Sequence, residues 1–210
     1  MIDGDLFGPE LGLQEDPSYA RAAEVLRRLR APLGVWAVRG NWENARRNPH
    51  ERAFYERNGV RLLVNEASEV RSGVWLVGFD DVSTGGPDPN GASRDLPADS
   101  FSIALLHSPA YFDSAAGRWS LALAGHTHGG QVRLPFLKPL RLPEGSGPYV
   151  EGWYESKGSR VYVSRGIGTA VLPIRFLCRP ELALLTVRWG TDSSATPRQR
   201  PIDQVDPSSS

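Results

Sequence analysis

The chain has 210 residues, 40% hydrophobic and 23% charged, ordinary values for one globular domain with a sizeable core. Lys+Arg and Asp+Glu both number 24, so no overall field recruits nucleic acid or an anionic membrane. The single cysteine, Cys178, excludes an internal disulfide framework and a thiolate metal cluster, and no apolar run approaches the ~18 residues of a membrane helix.

The first periodic segment is DPSYARAAEVLRRLR, residues 16–30. Asp16 suits the cap, Pro17 the first helical position, and Tyr19, Ala22, Ala23, Leu26 and Leu29 share one face of an amphipathic helix. Its run of Arg27, Arg28 and Arg30 reads as a solvated face near the helix C-terminus. GVWAVRG (34–40) reads as a buried strand, HERAFYERNG (50–59) as a helix closed by Gly59, and VRLLV (60–64) and VWLVGFD (74–80) as strands. The Gly-, Pro- and Asp-rich stretch from Val82 to Pro97 is a loop. FSIALLH (101–107) and LALAGHT (121–127) follow as strands separated by a short helix or turn. RVYVSRG (160–166) and ELALLTVRW (181–189) complete the strands, and Cys178 falls in an apolar stretch as a small buried residue. Residues 1–189 thus form one domain, and the Ser-, Thr- and Pro-rich tail 190–210 reads as disordered. Strand–helix alternation followed by mainly strand predicts an α/β fold of two packed sheets with helices outside.

Four stretches then draw attention. IDGDLF carries Asp5 near the start, VWAVRGNWE ends a strand at Gly40-Asn41, IALLHSP ends another at His107, and LALAGHTHGGQ ends a third at His126 and His128. Functional groups in open α/β sheets collect at the carboxyl ends of strands, where all four stretches present polar ligand types. Along an extended segment, residues two apart share one side at ~6.5–7 Å. His126 and His128 would then enter one pocket and serve different ions of a pair ~3.5–4 Å apart, with Gly129 and Gly130 leaving room for close approach. Taken alone, an HxH pair reads more simply as two surface histidines. In this order, with three of the four histidines of the chain in the set, the combination is specific.

The order GD, GN, H, GHTHGGQ resembles the calcineurin-like metallophosphoesterases, especially the bacterial branch whose last motif reads GHTHGGQ. The resemblance runs from about Ile2 to Trp189 and includes VGFDD (77–81) and VSRGIGTAVLPIRF (163–176). It implies a four-layer αββα sandwich of two mixed sheets. It also implies two divalent metal ions (Mn, Fe or Zn) and hydrolysis of a phosphate mono- or diester by a metal-activated hydroxide. By the same resemblance Asp5 bridges both metals, Asn41, His107 and His126 complete one site, and His128 serves the other. Asn41 and His126 are thereby also the catalytic candidates.

Two departures from the family pattern stand out. The family opens on a strand ending in Asp-x-His, and only four residues precede Asp5 here. One metal then keeps only Asp5 and His128, short of the three protein ligands usual for catalytic zinc. The expectation is an N-terminally truncated version of a longer protein, lacking its first strand. Secondly, Trp42 stands where the family has a histidine that contacts phosphate. Indole has no useful acidity, so Trp42 either stacks on substrate or packs as a core aromatic. His50, in a first helical turn, reads as exposed. These departures leave a second reading open, a catalytically degenerate metal-binding relative. The stretch 132–154, rich in proline, aromatics and aliphatics, reads either as a groove for a lipid-linked phosphate or as a packed loop over the sheet edge. Partners are accordingly a phosphate-ester small molecule or a lipid-linked phosphate, with peripheral membrane contact and no nucleic-acid module. A cytoplasmic or membrane-associated location follows.

Overall fold

The computed structural model describes Ile2 and residues 17–46 and 48–188. The expected cap at Asp16, the candidate Asp5 and the tail 190–210 lie outside the described residues. The elements in order are α1 (Pro17–Arg28), β1 (Val35–Val38), α2 (Asn41–Arg46), α3 (Glu51–Arg57), β2 (Val60–Leu63), β3 (Glu66–Arg71), β4 (Val74–Gly78), α4 (Pro89–Ala92), β5 (Phe101–Leu105), α5 (Tyr111–Ala115), β6 (Leu121–Ala124), β7 (Gly152–Ser156) and β8 (Ser159–Val163).

These strands form two sheets. β1 and β2 pair in parallel, and Ile2 bridges to Ala37 on the other edge of β1. The larger sheet has the order β3-β4-β5-β6-β8-β7, parallel through its centre and closed at each edge by an antiparallel strand. Period-two alternation sends each strand's side chains to opposite faces, and three apolar clusters result. Ala37, Val60 and Leu62 pack under Ala23 and Leu26 of α1 and Phe54 and Tyr55 of α3. Trp36, Val38 and Leu63 meet Leu105, Leu76, Ile103 and Leu123 between the sheets. Val77, Ala104, Ala122 and Val161 face Tyr111, Phe112 and Ala115 on the far side. The layers therefore run helix, sheet, sheet, helix, as expected.

Gly78 sits at a close approach of the two sheets. A Cβ there would lie 2.3 Å from Leu63 Cβ and 3.1 Å from Val38 Cγ1, so only glycine permits this spacing.

Differences from expectation have local causes. β3 (EASEVR) and β7 (GWYES) are edge strands of largely polar composition, supported by one neighbour and missed by a search for apolar runs. Asp88 caps α4 inside the expected loop 82–97, its Oδ1 accepting from Asn90 N and Gly91 N. The expected strand 181–189 is not formed: residues 181–188 make no ladder, and Leu182 and Leu184 are 87% and 95% exposed. Among the described residues no strand lies beside it, and an unpaired extended segment gains no ladder hydrogen bonds. Cys178 is buried and His50 exposed, both as expected. Among the described residues no helix is long and apolar enough to cross a membrane.

Candidate functional site

The chain leaves β1 through Arg39-Gly40 and turns at once into α2, putting Asn41 in the first turn. Glu43, three residues inside, is buried and reaches back so that its Oε2 accepts from Gly40 N at 3.0 Å, one half of a capping box. Tyr55 donates to its other oxygen at 3.4 Å. Burial foremost, with Glu43 beside it, holds the Tyr55 phenol well above its ordinary range. The Asn41 backbone is thus fixed from beneath.

His107 and His126 arrive from neighbouring parallel strands. The register Leu105↔Leu123 continues past the strand ends through Leu106 N→Leu123 O at 2.9 Å and Gly125 N→His107 O at 3.1 Å. The two rings consequently lie edge to face with centroids 4.6 Å apart. His107, 2% exposed, presents Nε2 to Asn41 Oδ1 at 2.9 Å. Asn41 comes from the small sheet's side and the histidines from the large sheet, so this cluster spans the seam of the sandwich.

The expected extended course of 126–128 is not observed. β6 stops at Ala124, and His126, His128, Gly129, Gly130 and Gln131 all take positive φ, between 51° and 79°. A left-handed conformation costs a non-glycine residue about 1–3 kcal/mol unless its surroundings enforce it. Here they do. Thr127, fully buried, donates to Val150 O at 2.6 Å and accepts from Gly129 N at 3.1 Å. His126 Nε2 faces Glu144 O at 2.6 Å, while His128 Nδ1 faces Gly168 O at 3.3 Å, so the two histidines are held by different loops. The room beside the glycines is filled by protein. A Cβ on Gly129 would meet Arg165 Cγ at 2.6 Å and Cys178 Sγ at 2.8 Å, and one on Gly130 would meet Pro139 at 2.4 Å.

Two supports were missed in the sequence. Asp81, 1% exposed, follows β4 at the carboxyl edge shared by the other candidates. It accepts from Ser108 Oγ and from the backbone and hydroxyl groups of Ser83 and Thr84. Burial pushes its pKa up, but these donors and the nearby His107 outweigh burial and leave it below the usual carboxylate value. The strand-end rule that selected Asn41 and His107 applied to it equally. Arg175 is the lone charge in AVLPIRFLC. Its guanidinium donates to the carbonyls of Arg165 (2.8 Å), Gly166 (3.2 Å), Gly168 (2.6 Å) and His128 (3.1 Å), tying the segment 165–168 to the histidine loop.

Two imidazoles and an amide oxygen form a mixed N and O donor set suited to Mn, Fe or Zn. Two donors about 2.1 Å from one cation and at right angles to each other sit about 3.0 Å apart, by Pythagoras on the usual bond lengths. The 2.9 Å separation of His107 Nε2 and Asn41 Oδ1 fits that requirement. Among the described residues no group of three or more His, Cys, Asp and Glu side chains converges. Trp42, half-buried, follows Asn41 in α2.

Comparison with known proteins finds the following similarities. Over 177 residues the chain is 34% identical to the uncharacterized metallophosphoesterase YkuE of Bacillus subtilis, covering 78% of this chain and 59% of that protein. The chain is thus similar to proteins named as metallophosphoesterases. It is also 30% identical over 173 residues to a metallophosphoesterase of Aquifex aeolicus (79% of this chain, 65% of that one). To phosphodiesterase YaeI of Escherichia coli it is 33% identical over 132 residues (60% and 47%). The matched regions span between 47% and 65% of these relatives' own length. No family model matches the chain, and no solved structure matches it significantly.

Proposed function

We propose that this chain is the metal-dependent hydrolytic domain of a calcineurin-like phosphoesterase acting on a phosphate mono- or diester. The observation that carries the reading is the meeting of Asn41, His107 and His126 across the sheet seam, at three strand ends, in a chain similar to proteins named as metallophosphoesterases. In this reading Asn41, His107 and His126 would hold one divalent cation together with Asp5, and His128 would serve a second. Bound cations there lower the pKa of water toward neutrality and offset charge growing on the phosphoryl oxygens.

The chain's own groups supply orientation. The Glu43–Gly40 cap fixes the Asn41 backbone, and the contact of its side-chain oxygen with His107 Nε2 orients the carboxamide toward the histidines. His126 is set by the Glu144 carbonyl and His128 by that of Gly168. Such partners orient a ligand ring and raise its basicity. Trp42 offers an aromatic face beside Asn41 for the organic part of the substrate, and no proton transfer is assigned to it.

The test is metal content by mass spectrometry together with hydrolysis of a chromogenic phosphodiester. At least one equivalent of Mn, Fe or Zn, with turnover lowered at least about 10²-fold in His126→Ala, is expected. A protein that binds no metal and shows no turnover above buffer overturns the reading.

A further inference from the structure

Two segments beside the histidine loop, bridged to each other, carry exposed apolar side chains. Residues 131–133 bridge to Phe176, with Arg133 N→Phe176 O at 2.9 Å and Phe176 N→Gln131 O at 3.0 Å. The Gln131 side chain closes the assembly, donating to Ala170 O and Leu172 O and accepting from Ala170 N. The side chains carried outward are Phe136, Leu137, Leu140, Val171, Leu172 and Leu177, all exposed, with Phe136 and Val171 at 106% and 92%. Three of them, Phe136, Val171 and Leu177, sit at positive φ, a real outlier for β-branched valine. The fold holds these side chains largely in water, three of them in strained backbone.

The charge around this surface is one-sided. Residues 132–143 and 167–180 contain no aspartate or glutamate. Lys138, Arg141 and Arg179 stand exposed on the same two segments, and among the described residues none of the three forms an ion pair. Exposed apolar side chains with cations on the same two segments, on a chain whose total charge is balanced, match a surface that is apolar beneath an anionic layer.

We propose that the Phe136–Val171 surface docks peripherally on an anionic lipid bilayer, inserting its apolar side chains among acyl chains and setting its cations against headgroup phosphates. Arg175 and the Gly168 carbonyl connect the surface directly to His128, so docking brings the histidine loop to the membrane face. The docking surface stands independently of the hydrolytic reading, because its contacts need neither metal nor turnover.

Co-sedimentation of the full chain with mixed phosphatidylcholine–phosphatidylglycerol vesicles, and with pure phosphatidylcholine vesicles, tests this. Preferential binding to the anionic vesicles, weakening with salt, is expected. The pair Phe136→Asp and Val171→Asp should weaken it at least about ten-fold, and Lys138→Glu about five-fold. Nothing packs on these side chains, so an unchanged melting temperature confirms that the variants fold. Absence of binding to either vesicle overturns the proposal, as does binding indifferent to the aspartates. So does a self-associated protein in sedimentation velocity that becomes monomeric with the aspartates, since a second copy would then own the surface.

Discussion

β5 and the segment 181–188 are built from similar material and end differently. FSIAL and ELALLTV are both short, rich in aliphatics and free of Gly and Pro. β5 lies between β4 and β6, with Ile103 and Leu105 turned to one sheet and Ala104 to the helix side. The segment 181–188 makes no ladder, and Leu182 and Leu184 stand in solvent. Intrinsic preference for extended structure becomes a strand only when at least one neighbour pairs with it. Among the described residues β5 has such neighbours and 181–188 does not.

Mutation sharpens the contrast. Leu105→Ala removes a fully buried side chain from the inter-sheet cluster and should cost about 2–5 kcal/mol in denaturant unfolding. Glu181 should give an intermediate result. It anchors the start of the unpaired segment, accepting from Tyr162 and from Arg165 Nε at 2.9 Å, and Glu181→Gln should cost about 1 kcal/mol. Burial acts to raise its pKa, but the Tyr162 and Arg165 donors outweigh that and hold it below the usual 4.5. Its contribution is therefore full above pH 4.5 and fades as pH falls through the depressed folded value. The wild type should lose stability relative to Glu181→Gln in that acid window, as read by melting temperature against pH. Leu182→Ala should change stability by no more than about 0.5 kcal/mol. A cost near that of Leu105→Ala would break the contrast, because it would require a partner over 181–188.

The same logic explains what the sequence disclosed. The apolar central strands could be read because their periodicity is their burial, and the αββα layering followed from their order. The edge strands β3 and β7 could not, because half their environment is solvent and their composition follows it. At the candidate site, the strand-end rule found Asn41, His107 and His126, which the sheet register brings together. It did not reveal the left-handed course of His126 and His128, which depends on Thr127 reaching Val150, a contact 23 residues away. Arg175 escaped notice for a related reason. Its partners are backbone carbonyls, which carry no sequence signature.

The seam location of the Asn41–His107 contact has a consequence for how the molecule comes apart. A ligand gripped jointly by these two side chains acts as a rivet between layers that otherwise adhere through Trp36, Val38, Leu63 and their neighbours. Splaying the sandwich and releasing the ligand then become one event. Amide protons of β1 and β5 should exchange more slowly, and in step, as occupancy of the cluster rises.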